Sequence, residues 1–400
     1  MWLVRRSILA TGVILLAVPS AFSQLRPEPD AIALAAPELV ERLRADPIAY
    51  FRFVNRPWIA RVCDVFADET RGLPIVRLHG DAHVEQFAVT EDAWGLDDFD
   101  DSARGPALVD VVRYLGSIDL VLRQRGWRRQ RDALFDRFFA GYRRGLAQPG
   151  YRPPRPEIVG RLRAKSPRSR TAFLAWADAQ MKAMSQESMD AVVAGTEAVS
   201  RIVYAERPDL APGYMTVVRA GWLQMGVGSA AAPKVLIRLQ GPSTEAEDDE
   251  FVEAKQVGDL EGLRCLQPAP AAEPALRVVI GTRQIGRLKP RILAAGPELT
   301  VPAVAARGRR LHDWWIHSWE PSYRELRASD LQAPADLAAV AYDSAVQLGA
   351  GSVKDDTGPH AAVLRKRELS ALARLEPRIR KETSRLVDEL LLGWKELAAR

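Results

Sequence analysis

The chain has 400 residues, of which 47% are hydrophobic and 27% are charged. This composition is ordinary for a globular protein that can bury a sizeable core, and the length suits one large domain or two modest ones. The 56 Lys and Arg exceed the 51 Asp and Glu by only five. So small an excess gives no support to a nucleic-acid-binding function, which we set aside.

The first 23 residues have the three parts of a secretory signal peptide. Arg5 and Arg6 form the positive start, residues 8–18 form an apolar run that is short for a membrane span, and residues 21–23 form a small-residue cleavage site. We expect cleavage, a mature chain that starts near Gln24 without a stable membrane span, and a periplasmic or secreted location. The alternative is a membrane anchor formed by the uncleaved N-terminus.

The two cysteines are Cys63 and Cys265. In an oxidising compartment they could form a disulfide, but two buried unpaired thiols are equally compatible with so few cysteines.

Hydrophobic periodicity predicts the secondary structure in chain order. Helices are predicted over residues 31–43, 106–122, 128–146, 169–199, 336–348 and 368–399, the last interrupted at Pro377. Strands are predicted over residues 73–78, 93–96, 215–222, 235–240, 251–257, 276–280 and 282–285.

The stretch from residue 77 to residue 117 is unusually rich in aspartate for a segment with short apolar runs. Its aspartates are Asp81, Asp92, Asp97, Asp98, Asp100, Asp101 and Asp110. A buried carboxylate is costly unless it is paired or holds a metal, so this stretch predicts a site. Phosphoryl transfer needs this chemistry, because one carboxylate orients or deprotonates the attacking hydroxyl while others hold Mg²⁺.

Three motifs in this stretch carry a family resemblance. Residues 80–87 read G-D-A-H-V-E-Q-F, residues 98–100 read D-F-D, and residues 105–110 place Gly-Pro before an aspartate-bearing helix. The stretch resembles the aminoglycoside-phosphotransferase-like branch of the protein kinase-like fold. It is still more similar to the bacterial family called domain of unknown function 2252.

The resemblance implies roles for individual residues. Asp81 would be the catalytic base or orienting group, and His83 belongs to the same catalytic motif. Asp98 would be the main Mg²⁺ ligand, assisted by Asp100. Position 86 would supply a further metal ligand, although the family has Asn where this chain has the longer Gln86.

The same resemblance implies that Asp110 steadies the catalytic loop. The alternative for Asp110 is a simple interaction with the positive end of its own helix.

A glycine-containing loop between two predicted strands forms the second informative stretch. The loop includes Gly226, Gly228 and Ser229, and the next strand but one carries Lys255. Backbone N–H groups in such a loop can approach phosphate oxygens, and a lysine nearby can reach the phosphates. We therefore predict nucleotide binding here, with Glu253 or Glu261 as the carboxylate partner of Lys255.

Two positions differ from the family pattern in this stretch. Ala231 replaces a third glycine, and Gln256 replaces an acid after the lysine. The alternative for Lys255 is a solvated lysine at the edge of a strand.

These observations predict an α+β, kinase-like two-lobe fold in which the helical catalytic motifs precede the glycine-loop and lysine sheet, as in a circular permutation. The predicted regions are the signal peptide (1–23), a mainly helical region with the HGD and DFD motifs (24–200), a β-rich lobe (201–300) and a C-terminal helical region (301–400). The predicted function is ATP- and Mg²⁺-dependent transfer of a phosphoryl group to a hydroxyl of a small molecule or protein.

Three other functions remain open from the sequence. The first is an exported, catalytically inactive kinase-like binding protein, and the second is a scaffolding role without nucleotide. The third is a hydrolase or metal-binding protein built on His79, Asp81 and His83, whose spacing could suit a metal on a helix. His312 and His317 also invite a metal interpretation, but we expect that aromatic-rich segment to belong to the core.

Overall fold

The computed structural model describes residues 25–165, 169–223, 234–267, 274–296, 314–354 and 358–400. These residues form a mixed structure of helices and antiparallel sheets, which agrees with the α+β class predicted from the sequence. The predicted signal peptide lies outside the described residues. No helix among the described residues is long and apolar enough to cross a membrane.

Short helices precede the first strand. They are α1 (Pro29–Leu34), α2 (Pro37–Ala45), α3 (Pro47–Phe53), α4 (Asn55–Val65) and α5 (Ala67–Thr70). The single helix predicted over residues 31–43 is wrong, because Pro37 begins a second helix. Proline suits a first helical position, where its missing N–H is not needed, but it is unfavourable in a helix interior.

Four three-residue strands hold the aspartate-rich stretch. They are β1 (Val76–Leu78), β2 (Phe87–Val89), β3 (Trp94–Leu96) and β4 (Ala103–Gly105). Strand β1 pairs with β4 and β2 pairs with β3, both antiparallel. Because Leu78 lies opposite Ala103, the HGD loop that follows β1 is brought next to the acidic corner that precedes β4.

Helices fill most of the next hundred residues. They are α6 (Leu108–Gln124), α7 (Arg131–Ala147), α8 (Glu157–Ala164), α9 (Arg170–Gln180) and α10 (Gln186–Glu206). The single helix predicted over residues 169–199 is wrong, because the short strand β5 (Met181–Lys182) separates α9 from α10. The side chain of Ser185 caps α10 by accepting a hydrogen bond from the N–H of Ser188, and this cap starts a new helix.

A six-stranded antiparallel sheet follows within the described residues. Its further strands are β6 (Val217–Leu223), β7 (Lys234–Leu239), β8 (Glu250–Gln256), β9 (Leu293–Gly296) and β10 (Trp314–Ser318). The strand order is β5-β6-β7-β8-β10-β9. The strands predicted over residues 215–222, 235–240 and 251–257 are confirmed to within two residues at each end.

The two faces of this sheet are covered differently because successive strand residues point to opposite faces. Val235 and Val252 pack with α10 in one apolar cluster, whereas Leu236 and Phe251 pack with α9 in another. Lys255 therefore lies on the α9 face, four residues along β8 from Phe251 and beyond the cover of that apolar cluster.

The strand pair predicted over residues 276–285 is wrong, since this segment is helix α11 (Leu276–Ile285). Its β-branched residues favoured a strand interpretation. In the structure, Val278, Thr282 and Ile285 are buried at helical spacing, and the Thr282 hydroxyl donates to the Val278 carbonyl at 2.9 Å. Burial of this face outweighs the modest helix penalty of β-branched residues.

The chain ends with β11 (Arg324–Glu325), α12 (Pro334–Gly351) and α13 (Gly358–Ala398). Helix α12 packs closely on α7, since a Cβ atom on Gly145 would lie 2.2 Å from the Val346 carbonyl oxygen. The predicted interruption at Pro377 is wrong, because α13 continues through that residue.

Cys63 in α4 and Cys265 in the segment after β8 form a disulfide with a Cα–Cα distance of 5.4 Å. This bond settles the alternatives left open by the sequence. It joins the N-terminal helices to the segment that follows the Lys255 strand, across 202 positions of sequence.

Candidate functional site

The HGD loop is held by helix α6. Asp110, near the start of α6, accepts hydrogen bonds from the backbone N–H groups of His79 (2.7 Å) and Gly80 (2.9 Å). Gly80 has a φ of +87°, and a Cβ atom there would lie 1.8 Å from the Asp101 carbonyl oxygen, so this position requires glycine. Burial raises the pKa of the Asp110 carboxyl to about 7, although the two N–H groups oppose the rise.

Asp81 is paired with a fully buried arginine from the next turn of α6. Arg113 donates from Nε (2.9 Å) and from Nη2 (2.7 Å) to Asp81 Oδ1. The Arg113 guanidinium also lies 3.6 Å from the centre of the Phe51 ring and donates to the Phe51 carbonyl. Burial raises the pKa of Asp81, and Arg113 opposes that rise. Asp81 is therefore fixed by a paired charge, not by solvent.

His83 and Gln86 complete the surroundings of Asp81. His83 Nε2 lies 3.5 Å from Asp81 Oδ2, and the Gln86 amide donates to the same oxygen at 3.4 Å. Burial, with Arg52 and Arg113 acting in the same direction, lowers the pKa of His83 well below its ordinary value, so its ring is neutral near pH 7. The structure thus brings Asp81, His83 and Gln86 together, with Gln86 contacting Asp81.

The acidic corner between β3 and β4 has an unusual backbone. Asp98 has a φ of +59°, a left-handed conformation that is uncommon for residues other than glycine. Arg277 of α11 fixes the corner by donating to the carbonyl groups of Asp100 and Ser102, both at 2.7 Å. Asn55 donates to the Asp101 carboxylate at 2.7 Å and to the Gly80 carbonyl at 3.1 Å, which joins the corner to the HGD loop.

Lys255 meets this corner from the sheet. Its Nζ lies 3.3 Å from Asp98 Oδ1, 3.5 Å from Asp100 Oδ2 and 3.9 Å from Glu253 Oε1. The lysine is only 8% exposed, so the interpretation as a solvated edge lysine is wrong. Of the two acidic partners predicted for Lys255, Glu253 lies beside it, while Glu261 is an exposed residue of the segment after β8.

The charges at this corner are strongly coupled. Burial disfavours ionised Asp98, but Lys255, Lys234 and Arg52 together outweigh it and hold the pKa of Asp98 far below its usual range. Burial raises the pKa of Asp100 to about 8, against the attraction of Lys255. Burial also opposes the charge on Lys255, but Asp100, Asp98 and Glu253 raise the pKa of its ammonium well above 10.5. The corner is a buried ionic cluster with at least one firmly ionised carboxylate.

Several groups at the site have no counterpart in the sequence prediction. They are Arg113 beside Asp81, Arg277 behind the corner, Asn55 between the two loops and Lys234 opposite Lys255. Arg113 had a usable signal, since it lies three residues after Asp110 in an apolar helix and hence on the same face. The other three come from distant segments and gave no such signal.

Some residues that the sequence singled out are not part of the described site. Gly226, Gly228 and Ser229 are outside the described residues, as is His312. His317 lies in strand β10, where its Nε2 is 3.5 Å from Glu253 Oε2.

The predicted metal pair of His79 and His83 has no support in the structure. His79 is not on a helix, and its two ring nitrogens face backbone groups, with Nε2 2.9 Å from the Asp97 carbonyl and Nδ1 accepting from the N–H of Asp81. Within the described ranges no group of three or more His, Cys, Asp or Glu residues is arranged to hold a metal ion.

The arrangement combines the groups that phosphoryl transfer uses. Asp98 and Asp100 place two carboxyl groups beside the buried ammonium of Lys255, and Asp81 provides a third carboxyl group on the HGD loop. Mg²⁺ typically takes one or two protein carboxylates and completes its octahedral shell with water and phosphate oxygens. Asp98 and Asp100 are thus of the residue type that proteins contribute to Mg²⁺.

One family model matches the part of the chain that contains the HGD and DFD motifs. The bacterial family described as "Uncharacterized protein conserved in bacteria (DUF2252)" matches residues 33–169. The resemblance to this family is thereby confirmed for the segment that contains Asp81, Asp98 and Asp110. Lys255 and the sheet lie outside the matched residues.

A named kinase is similar to a short part of the chain. A glucosamine kinase from Streptacidiphilus jiangxiensis is 35% identical over 77 residues, which amount to 16% of this chain and 18% of that enzyme. The similarity thus spans less than a fifth of the kinase. No solved structure matches the chain.

The Arg113–Asp81 pair yields a prediction about stability. Arg113→Met should destabilise the protein by about 3–5 kcal/mol, because it leaves a buried carboxylate unpaired, and Asp81→Asn should also be costly. The double variant should lose clearly less than the sum of the two single losses. Urea unfolding of the four proteins measures this coupling.

Arg128→Met, at an exposed arginine, is the matched control and should change the free energy of unfolding by no more than about 0.5 kcal/mol. Strictly additive losses for Arg113 and Asp81 would show that the two side chains do not stabilise each other.

Proposed function

We propose that this protein is a kinase-like phosphotransferase that uses ATP and Mg²⁺ to phosphorylate a hydroxyl group of a small molecule or protein. The observation that carries the proposal is the contact of Lys255 with Asp98 and Asp100, which lie more than 150 positions away in the chain. A buried lysine on a sheet strand contacts two carboxyl groups, and a separate aspartate lies on the HGD loop. These are the kinds of group that phosphoryl transfer uses.

Asp98 and Asp100 are the residues that would hold Mg²⁺. Asp98 remains ionised, and Asp100 Oδ1 is buried without a hydrogen bond from any described residue, so this oxygen is available to a further ligand. Bound Mg²⁺ would supply charge stabilisation for the transferring phosphoryl group. Lys255 would bind phosphate oxygens once the carboxylates serve the metal.

Asp81 would orient the acceptor hydroxyl. Its Oδ1 is occupied by Arg113, which leaves Oδ2, near His83 and Gln86, as the oxygen that can meet an acceptor. Asp110 is a positioning residue, because it acts on the loop backbone and not on the reacting atoms. Because Arg113 fixes the Asp81 carboxylate through Oδ1, we assign Asp81 to orientation of the acceptor hydroxyl.

We also propose the kinase-like two-lobe arrangement in permuted order. Strands β6, β7 and β8 form consecutive antiparallel neighbours, and the third carries Lys255. The helical part with the HGD and DFD motifs comes earlier in the chain. Such an order is physically tolerable, because catalysis depends on where groups lie and not on their sequence order.

An inactive nucleotide-binding protein is the second candidate. The contact between Gln86 and Asp81 favours it, because Gln86 stands where the family has the Asn expected to bind metal. An enzyme and an inactive binding protein would both bind nucleotide, but only the enzyme would transfer its phosphoryl group.

Thermal melting tests nucleotide binding directly. Mg·ATP at millimolar concentration should raise the melting temperature, since a ligand at 100 times its Kd stabilises the folded state by about 2.7 kcal/mol. Asp98→Asn should remove the dependence of this shift on Mg²⁺. The control Asp92→Asn, at an exposed aspartate of the same stretch, should respond as the unchanged protein does.

The absence of a shift for the unchanged protein would contradict both the enzyme and the inactive binding protein. A shift whose Mg²⁺ dependence survives Asp98→Asn would remove Asp98 from the metal site.

We further propose that the protein is exported through its N-terminal leader. The Cys63–Cys265 disulfide supports this location, because disulfides persist in oxidising compartments. N-terminal sequencing of the protein from its native host should start near Gln24. A mature chain that starts at Met1 would show that the leader is retained.

A further inference from the structure

Helix α12 joins two segments that border the acidic corner. Gln347 of α12 is only 2% exposed, and its side-chain amide bonds to both segments. Its Oε1 accepts from the N–H of Leu96, at the end of β3, at 3.0 Å, and its Nε2 donates to the carbonyl of Ile285, at the end of α11, at 2.9 Å. A Cβ atom on Gly95 would lie 2.4 Å from Gln347 Oε1, so this close approach requires glycine at position 95.

A second bridge lies one turn earlier in the same helix. Asp343 is fully buried, and its Oδ2 accepts from Trp94 Nε1 at 3.1 Å while its Oδ1 accepts from Arg287 Nη1 at 2.6 Å. Residues four apart lie on the same face of a helix, so Asp343 and Gln347 project toward the same two segments. Each of them joins β3 to the segment around the C-terminal end of α11, and we call the two residues the α12 clamp.

The acidic corner depends on these two segments for its geometry. Asp98 lies two residues after β3 and has a φ of +59°, a conformation that costs energy unless the surrounding structure enforces it. Helix α11 fixes the other half of the corner, because Arg277 donates to the carbonyl groups of Asp100 and Ser102. A clamp between β3 and α11 therefore restricts how Asp98 and Asp100 are placed relative to each other.

We propose that Asp343 and Gln347 are positioning residues for the metal site: they hold β3 and α11 together, so that the Asp98 and Asp100 carboxyl groups keep the orientation that binds Mg²⁺. This inference rests on the proposed phosphotransferase function, and it assigns to α12 a role in the affinity of the same site for the metal ion. Groups that orient metal ligands from behind commonly change metal affinity by about 10- to 100-fold when they are replaced.

Hydrogen exchange of the ligand-free protein tests the clamp without nucleotide. Gln347→Met keeps a long side chain but removes both hydrogen bonds, so the backbone amides of residues 94–102 should exchange faster by about fivefold or more. Val346→Ala, at a fully buried residue of α12 beside α7, is the matched control and should leave this stretch unchanged. Exchange of residues 94–102 in Gln347→Met at the rate of the unchanged protein would overturn the inference.

The Mg²⁺ requirement separates a positioning role from a general loss of stability. The Mg²⁺ concentration that gives half of the ATP-dependent rise in melting temperature should increase about tenfold in Gln347→Met. It should not change in Val346→Ala, even if that variant is the less stable of the two. An equal increase in both variants would assign the clamp to general stability and would overturn the inference.

Trp94→Phe serves if Gln347→Met does not fold. This change removes only the donor to Asp343 and keeps an aromatic ring at the position. It should change hydrogen exchange and the Mg²⁺ requirement in the same direction as Gln347→Met, but by less. If neither quantity changes in Trp94→Phe, the inference is wrong.

The two measurements also distinguish this inference from the proposed function. Faster exchange in Gln347→Met, with no effect of Mg·ATP on the unchanged protein, would contradict the proposed function and support the clamp as the structure that holds the acidic corner. Unchanged exchange in Gln347→Met, with an Mg²⁺-dependent response of the unchanged protein to ATP, would overturn this inference alone.

Discussion

The contact of the Lys255 ammonium with the Asp98 and Asp100 carboxylates is the interaction on which the structure of the site depends. It joins a strand of the six-stranded sheet to the corner between β3 and β4. A buried ion pair gives little net stability, because desolvation offsets much of the attraction. The presence of this ion pair, together with the left-handed backbone at Asp98, therefore favours a functional explanation.

Helix α6 supports the HGD loop, which lies next to this corner. One turn of the helix carries Asp110, which binds the loop backbone, and Arg113, which binds the Asp81 carboxylate. Because both residues project from a single buried helix, the loop and its carboxylate are held in one fixed relation. Asn55 and Arg277 then connect the loop to the acidic corner. The site is rigid around its acids, which suits chemistry that depends on positioning.

The sequence predicted the parts of this site better than their connections. The family resemblance of the HGD and DFD motifs pointed to Asp81, Asp98 and Asp110, and the glycine loop with the strands after it pointed to Lys255. The prediction failed in α11, whose β-branched residues are typical of a strand, while Val278, Thr282 and Ile285 are buried at helical spacing. The sequence could not distinguish Lys234 from an ordinary lysine at the start of a strand. Its position near the site depends on its register with Lys255 of β8. Pairings across more than 150 residues arise from the whole fold and leave no local signal.

On binding of nucleotide, we expect Lys255 to exchange its contacts with Asp98 and Asp100 for phosphate oxygens. The two carboxylates would then bind a metal ion. A crystal structure with Mg²⁺ and a non-hydrolysable ATP analogue tests this claim most directly. We expect a metal ion on Asp98, phosphate oxygens within about 3 Å of the Lys255 ammonium, and a loss of the direct Lys255–Asp98 contact. An analogue bound at another surface, with Lys255 still against Asp98 and Asp100, would contradict it.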